Sequence, residues 1–446
     1  MIFRIGYLVS VVAAWGCSES SPNPIHYGPG GDAAAGGDSA QPPQTEIIEL
    51  DLESIHSLTS FDGRVFFVAT DAQYGAELWV SDGTVAGTEL LGDINPGEPS
   101  SEPTWLTVSG GLLYFVADDG VHGRELWKTD GTRAGTTMLY DSTDETVMPP
   151  TPRSLIDLDG VLNFSATGTG GDWAWWKTDG SPGGTVPLKT LPSDGRAPVI
   201  HQGHVYFSLW FWSTVTSDEL WKSDGTEAGT VRVASIPTIA TKPITSGSLL
   251  FFLGDDDVHG TELWQSDGTT AGTHMVEDVV SSYCDEYCGF WQGFVDFNGV
   301  IVFQPPDSDC VLWRTTGTPG STVSFFTDSS PQAMYLTATS KAVYFVLTIG
   351  GDTQLWQTDA TEEGTVAYSV EVTSPRSFTV IDGSLYFIDQ EAPESVDQVW
   401  RIDGNNEAPT KILDLNATDG RKYEIMEHTG SLFLTAGTSI WVQPIP

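Results

Sequence analysis

A tryptophan-centred segment recurs along almost the whole chain and constrains the fold more than any other feature. Its clearest copies read ELWVSDGTVAGT, ELWKTDGTRAGT, ELWKSDGTEAGT and ELWQSDGTTAGT. The tryptophans of the nine copies are Trp79, Trp127, Trp176, Trp221, Trp264, Trp313, Trp356, Trp400 and Trp441. Their mean spacing of about 45 residues is the length of a four-stranded propeller blade. We therefore predict an all-β chain that forms a single β-propeller of four-stranded blades.

The second copy shows the internal pattern of the repeat. The runs TWLTV, LLYFVADD, RELWKTDG and TTMLYD are rich in β-branched and aromatic residues, and turn residues separate them. This pattern predicts an antiparallel meander. In the turn after the third strand, Asp130 is suited to bond its own backbone and Gly131 to adopt a positive φ. Alternate strand residues face opposite sides, so Leu126 and Trp127 should pack against different neighbouring blades.

The two ends of the repeat region predict how the ring closes. The last unit supplies only three strands, and TEIIELDLES near the N-terminus resembles the outer strand of the first unit. We infer that residues 46–52 complete the last sheet, because a closed ring leaves no open edge. The repeat count then gives nine blades, and eight is the alternative if one irregular unit is not a blade.

The N-terminal sequence is typical of an export and anchoring segment. MIFRIGYLVSVVAAWGC has one basic residue and then an apolar run too short to remain as a membrane-spanning helix. Gly16 before Cys17 resembles a lipobox, which implies a lipoprotein signal peptide over 1–16 and lipid attachment at Cys17. Residues 17–45 are rich in Gly, Ser, Pro and Ala and are predicted to be a disordered linker to a propeller over 46–446.

This organisation places the chain outside the cytoplasm. We expect a lipid anchor in the outer membrane or at the cell surface, and a secreted protein is the alternative. The 60 acidic residues against 19 Lys and Arg argue against nucleic acid as a partner, because the phosphate backbone would be repelled. Contact with the membrane through the anchor only, and a monomeric state, are the remaining expectations.

The repeat resembles the bacterial ELWxxDGT repeat family, whose signature is Glu-Leu-Trp, two variable residues and Asp-Gly-Thr. The resemblance covers about nine tenths of the chain. It departs from the signature where Thr316 replaces the Asp and where Ala360 replaces the Gly. The resemblance implies an exported, propeller-like protein and carries no activity or ligand to transfer.

Acidic loops between second and third strands are candidates for calcium. Asp255, Asp256 and Asp257 are consecutive, and Asp118 and Asp119 occupy the corresponding loop of another unit. Carboxylates along a loop can coordinate calcium. Their spacing lacks the pattern of a dedicated calcium loop, so solvated turn aspartates are the main interpretation and no cofactor is expected.

Aromatic clusters mark the third and fourth units, where the repeat is disturbed. Trp173, Trp175, Trp210, Phe211 and Trp212 lie in or beside loops, and exposed aromatics there would stack on sugars or peptides. We take them as candidate ligand-binding residues. Packing between blades is the alternative for each.

The cysteines allow one local disulfide. With Cys17 lipidated, Cys284, Cys288 and Cys310 remain, and an oxidising compartment favours a Cys284–Cys288 pair with one thiol left over. Three cysteines without a matching histidine do not predict a zinc site.

No nucleophile elbow or phosphate-binding loop stands out in the sequence, and acidic residues are too numerous to single out a catalytic pair. We therefore predict a non-catalytic binding or scaffold module of the cell envelope that holds a protein or glycan partner. The alternative is a carbohydrate-active enzyme, a glycosidase or lyase, with two carboxyls beside aromatics at the channel.

Overall fold

Nine antiparallel sheets follow one another along the chain and form a ring. The computed structural model describes residues 45–50, 52–139, 152–168, 171–211, 217–279, 293–305, 312–327, 333–349, 352–368, 372–390, 396–404, 407–415, 423–436 and 438–445. Within these ranges there is no α-helix, and the one helical turn is a 3-10 segment at Pro182–Gly184. The prediction of a nine-bladed β-propeller is confirmed.

The first strand, β1 (Glu46–Glu49), belongs to the ninth blade. Blades one to four contain β2 (Ser54–Phe61), β3 (Arg64–Asp71), β4 (Gly75–Ser81) and β5 (Glu89–Gly92); β6 (Thr104–Ser109), β7 (Leu112–Asp118), β8 (Arg124–Thr129) and β9 (Thr137–Met138); β10 (Arg153–Leu158), β11 (Val161–Thr167), β12 (Trp173–Thr178) and β13 (Val186–Thr190); and β14 (Gly195–His201), β15 (His204–Leu209), β16 (Asp218–Ser223) and β17 (Val231–Ile236).

The innermost strand of blade five is split in two, and the other blades continue the four-stranded pattern. Blades five to nine contain β18 (Thr238–Ile239), β19 (Ile244–Ser246), β20 (Leu249–Asp255), β21 (Thr261–Ser266) and β22 (His274–Met275); β23 (Phe294–Phe297), β24 (Val300–Phe303), β25 (Leu312–Thr315) and β26 (Val323–Phe326); β27 (Ala333–Ala338), β28 (Val343–Ile349), β29 (Asp352–Thr358) and β30 (Val366–Ala367); β31 (Arg376–Ile381), β32 (Ser384–Gln390), β33 (Asp397–Ile402) and β34 (Thr410–Leu415); and β35 (Tyr423–His428), β36 (Ser431–Ala436) and β37 (Ser439–Pro444).

The ring closes through the N-terminal strand, as predicted. β1 pairs with β37 in the order β1-β37-β36-β35, with Ile47 opposite Trp441 and Ile48 opposite Ile440. Ile48 then packs with Phe67 of blade one in a buried cluster between blades nine and one. The strand ends at Glu49, three residues before the predicted boundary.

All nine motif tryptophans lie on the third strand of their blades, as predicted. In six blades the indole stacks on a phenylalanine directly opposite it on the second strand, as Trp127 does on Phe115, with ring centroids 6.4 Å apart. Trp127 faces the cluster shared with blade one, and the neighbouring Leu126 faces the cluster shared with blade three. Both faces of each sheet are thereby buried, and a hydrophobic cluster fills each boundary between blades.

The Asp-Gly-Thr turn is held by its own side chains. In blade two, Asp130 Oδ1 accepts hydrogen bonds from the Thr132 backbone N–H (2.9 Å) and hydroxyl (2.7 Å), and the Thr132 hydroxyl oxygen accepts one from Gly135 N–H (3.0 Å). Gly131 has φ +88°, as predicted. Gly135 is required for space, because a Cβ there would lie 2.0 Å from the Asp130 carboxylate. In blade seven Ala360 adopts the Gly conformation at φ +64°.

A lysine directly after the motif tryptophan ties each of three blades to the next. Lys128 Nζ donates to the Gly180 carbonyl at 2.6 Å. Lys177 donates to the Gly225 carbonyl and Lys222 to the Gly268 carbonyl in the same way, at 3.0 and 2.8 Å. Each bond links a third strand to the Asp-Gly turn of the following blade, and such charge-assisted bonds hold neighbouring sheets in register.

The motif glutamate of blade one is buried beneath the connection to blade two. Glu77 Oε1 accepts hydrogen bonds from the backbone N–H of Asn95 (3.3 Å) and Ser101 (3.1 Å). Its Oε2 accepts from Ile94 N–H (3.2 Å) and the Ser101 hydroxyl (2.6 Å). Burial outweighs these donors and raises the pKa of the Glu77 carboxyl from 4.5 to about 7.

We expect Glu77 to make the ring less stable as the pH rises from about 4.5 to about 7. In that window the folded chain keeps a proton on Glu77 that the unfolded chain has released. The stabilisation is fully present below about pH 4.5 and is lost as the pH rises through about 7.

The variant Glu77→Gln removes this titration, and a buried glutamine, Gln398, already occupies the same motif position in blade eight. Unfolding free energies measured across the window should show wild type losing stability relative to the variant as the pH rises. If the stability of wild type relative to the variant stayed constant as the pH rose, the four donors would balance burial, and if it increased they would outweigh burial.

Candidate functional site

The innermost strands of six blades share a β-bulge close to the ring axis. First strands of neighbouring blades contact each other, as β2 does with β6 and with β35. In each of the six, a non-glycine residue has φ between +51° and +61°: Ser57, Trp105, Ser154, Ala197, Tyr335 and Ser377. The left-handed conformation costs a non-glycine residue about 1–2 kcal/mol, and such strain is common at functional sites.

The residue opposite each bulge explains why it recurs. In blade two the bulge residues Trp105 and Leu106 face one residue, Phe115, which carries the motif tryptophan stack. The extra residue bends the inner strand around this bulky pair. It also re-aims the side chain at the bulge, so Trp105 is 49% exposed although it lies in a strand.

An open cavity of about 280 Å³ lies at the bulges of blades two, three and four. Its lining comprises Thr104, Trp105, Arg124, Pro152, Arg153, Ser154, Arg196 and Ala197. These residues come from the beginnings of first and third strands. In an antiparallel meander both begin on the same side of the ring, so the cavity opens on the side that carries the connections between blades.

Three arginines concentrate positive charge in this cavity. Asp194 is buried, and its Oδ2 accepts hydrogen bonds from Arg153 Nη1 (3.1 Å) and Arg196 Nε (2.6 Å). Arg124 Nη2 donates to the Thr104 hydroxyl at 2.6 Å. Among the described residues of the lining there is no carboxylate. Asp194 therefore orients two of the three guanidinium groups that line the cavity.

Two of the sequence-predicted aromatics support these arginines. Arg153 lies over the Trp173 ring, 4.8 Å from its centroid, and Arg196 lies over the Trp210 ring at 5.3 Å. Both indoles are partly buried. The Trp210 indole N–H is buried and has no hydrogen-bond partner within the described part of the chain. Cation–π contacts of this kind restrict the guanidinium planes.

Trp175 packs between blades, which is the alternative that the sequence analysis gave for it. Trp175 has no exposed surface and stacks on Phe207 of the next blade, with ring centroids 4.0 Å apart and an interplanar angle of 7°. It occupies the motif position of Leu126, which faces the following blade. Phe211 is partly buried against the same cluster, and its backbone N–H donates to Asp218 Oδ1 at 3.1 Å.

Trp212, Cys17, Cys284, Cys288 and Cys310 lie outside the described residues. The disulfide, the lipid attachment and the third aromatic of the fourth unit therefore stay predictions. Among the described residues no helix is long and apolar enough to cross a membrane.

The acidic loop considered for calcium is built around its own backbone. Asp256 Oδ1 accepts from the N–H groups of Val258 (2.9 Å) and His259 (2.8 Å), and its Oδ2 lies 2.7 Å from His259 Nδ1. Asp255 Oδ1 accepts from Asp257 N–H at 2.7 Å. Asp119 and His122 repeat this arrangement in blade two. Within the described ranges, no three His, Cys, Asp or Glu side chains are placed to hold a metal ion.

Sequence reasoning missed Trp105 and the three arginines. Arg153, Arg196 and Arg376 directly precede the bulge residue in three different first strands. In a chain with few basic residues, that repeated placement is the signal that would have indicated Arg153 and Arg196. It is visible only after the first strands have been aligned blade by blade.

Comparisons with known proteins find only distant likenesses to solved structures. No family model and no curated protein matches the chain. Puromycin hydrolase is 15% identical, with a TM-score of 0.40 over 74% of this chain and 57% of that one. A prolyl endopeptidase is 12% identical, with a TM-score of 0.40 over 80% and 55%. This chain thus spans less than two thirds of either protein.

The β-propeller domain of the Trilobed protease from Pyrococcus furiosus is 12% identical, with a TM-score of 0.37 over 71% of this chain and 97% of that one. At these values, none of the three likenesses carries an argument about what this chain binds or does.

Proposed function

We propose that this chain is a non-catalytic binding module that holds its partner in the cavity between blades two, three and four. One observation carries the proposal: the cavity combines an exposed indole, Trp105, with three oriented arginines at the axis of the ring. Binding sites are concave and are lined by aromatic groups with a few convergent polar groups. The lining of this cavity has that composition.

The same observation does not favour the glycosidase alternative. A glycosidase needs two carboxyls flanking the scissile bond, about 5–9.5 Å apart. The described lining supplies none, and the carboxylate of Asp194 behind it is engaged by Arg153 and Arg196. Binding requires only the side chains that line the cavity.

The export segment and the lipid anchor at Cys17 are part of the proposal. They rest on the sequence of the first 17 residues, and the linker over 17–45 would hold the ring away from the membrane. A tethered ring fits a module that captures a partner at the cell envelope.

We expect a soluble ring, residues 43–446, to retain ligands on glycan or peptide arrays, and Trp105→Ala to weaken that retention about tenfold or more. Alanine already occupies the equivalent bulge position in blade four, at Ala197, so the substitution is compatible with the backbone. Equal melting temperatures of the two proteins serve as the control. The proposal fails if neither array retains the ring, or if the variant binds as well as wild type.

A further inference from the structure

We infer that the ligand of this cavity is an acidic oligosaccharide, whose sugar ring stacks on Trp105 and whose carboxylate is bound by the arginines. The inference rests on the proposed function and specifies the chemical class of its ligand. Charge, stacking geometry and the shape of the strand edge each support it.

The charge of the cavity is opposite to that of the chain. The sequence has 19 Lys and Arg against 60 Asp and Glu, yet three arginines meet here. Arg153 and Arg196 keep 32% and 28% of their side-chain surface exposed. Asp194 engages each of them through a single nitrogen in these bonds and so fixes their orientation. Planar guanidinium groups held this way match the geometry of a carboxylate.

Two tryptophans lie against arginines of the cavity, and a third tryptophan lines the cavity itself. Trp173 and Trp210 support the guanidinium planes, so less conformational freedom is lost when an anion binds. Trp105 is the exposed indole of the lining and offers a flat face to an apolar sugar surface. Tyr335 occupies the same bulge position in blade seven and is 48% exposed, so a second aromatic platform lies at the axis.

The free edges of the innermost strands are poorly suited to binding an extended peptide. An extended peptide binds a sheet by adding a strand to a free edge, which requires an uninterrupted row of N–H and C=O groups. The bulges at Trp105, Ser154 and Ala197 interrupt that row at the cavity in all three blades that line it. Recognition must then come from side chains, and the cavity volume of about 280 Å³ fits a small unit such as one sugar of a longer chain.

The test compares acidic oligosaccharides with their own neutral derivatives. Fragments of alginate, polygalacturonate and hyaluronan are measured by calorimetry against the soluble ring, beside the same fragments with their carboxylates methyl-esterified. The ester keeps the sugar rings and removes the charge. We expect at least one acid to bind and its ester to bind about tenfold more weakly or worse.

Two arginine variants test whether the preference for the acid over its ester arises in this cavity. Arg124→Gln should reduce affinity for the acid about tenfold and leave affinity for the ester unchanged. Arg232→Gln is the matched control, because Arg232 lies on the outer strand of blade four, is 56% exposed and pairs with Glu219 outside the cavity. It should bind both forms as wild type does.

The outcomes separate the two proposals. Equal binding of acid and ester, lost in Trp105→Ala, would overturn the carboxylate recognition and leave the binding module standing. Binding of an acidic peptide with no binding of any glycan would overturn the glycan class. Absence of binding to every glycan and peptide would overturn the proposed function itself.

Discussion

Removing the N-terminal strand should open the ring between blades nine and one and lower its melting temperature more than any single side-chain truncation. β1 supplies the outer strand of blade nine, and Ile48 has no exposed surface in the cluster shared with blade one. A chain that begins at residue 53 would lose this strand, leave β37 as an unpaired edge and expose part of that cluster. We expect association or aggregation in size-exclusion chromatography, and rapid proteolysis.

Two adjacent isoleucines provide the matched point variants. Ile48 is fully buried, whereas Ile47 points the other way and is 39% exposed. Ile48→Ala should lower the free energy of unfolding by about 2–5 kcal/mol, because it removes core contacts and leaves a cavity. Ile47→Ala should cost less than about 1 kcal/mol. Urea unfolding monitored by fluorescence measures both.

A chain that begins at residue 43 and keeps the strand is the control for the truncation. It should melt as the longer chain does. Closure through β1 would be refuted if the chain that begins at residue 53 were as stable and monomeric as this control, or if the two isoleucine variants were equally destabilised.

The architecture could be predicted because each blade repeats the same physical solution. The tryptophan of the third strand, its Asp-Gly turn and the alternation of Leu126 and Trp127 are local patterns that depend on neighbours within one period. Ring closure followed from the likeness between the N-terminal segment and an outer strand. The local pattern does not indicate the bulges on the innermost strands. At these bulges the side chains of Trp105 and Tyr335 are about half exposed.

The cavity could not be predicted because its parts come from three blades. Arg124, Arg153 and Arg196 are separated by about 29 and 43 residues in the sequence, and only the ring places them together. Trp173 and Trp210 were singled out as surface aromatics, and their place behind the arginines depends on the same arrangement. Trp175 packs between blades because its position in the motif is that of the buried Leu126, and this position outweighs the disturbed pattern around it.

Trp175→Ala should therefore be a severe core truncation. The side chain is fully buried and stacks on Phe207 across the boundary between blades three and four. We expect the free energy of unfolding to fall by about 3–5 kcal/mol, as for other large aromatic truncations. Trp175→Phe keeps a ring in the stack and removes an indole N–H that has no hydrogen-bond partner among the described residues, so it should recover much of the loss.

Trp105→Ala is the contrasting variant, and the pair distinguishes a core tryptophan from a binding one. Trp105 is 49% exposed, so its truncation should change the free energy of unfolding by less than about 1 kcal/mol while it removes ligand binding. Trp175→Ala should lose stability and, at temperatures where it remains folded, keep its affinity, because Trp175 does not line the cavity. If Trp175→Ala lost binding at unchanged stability, the indole would have to reach the ligand and its burial between the blades would be refuted. If Trp105→Ala unfolded the ring, the bulge would serve packing, and the exposed indole would lose its place in the site.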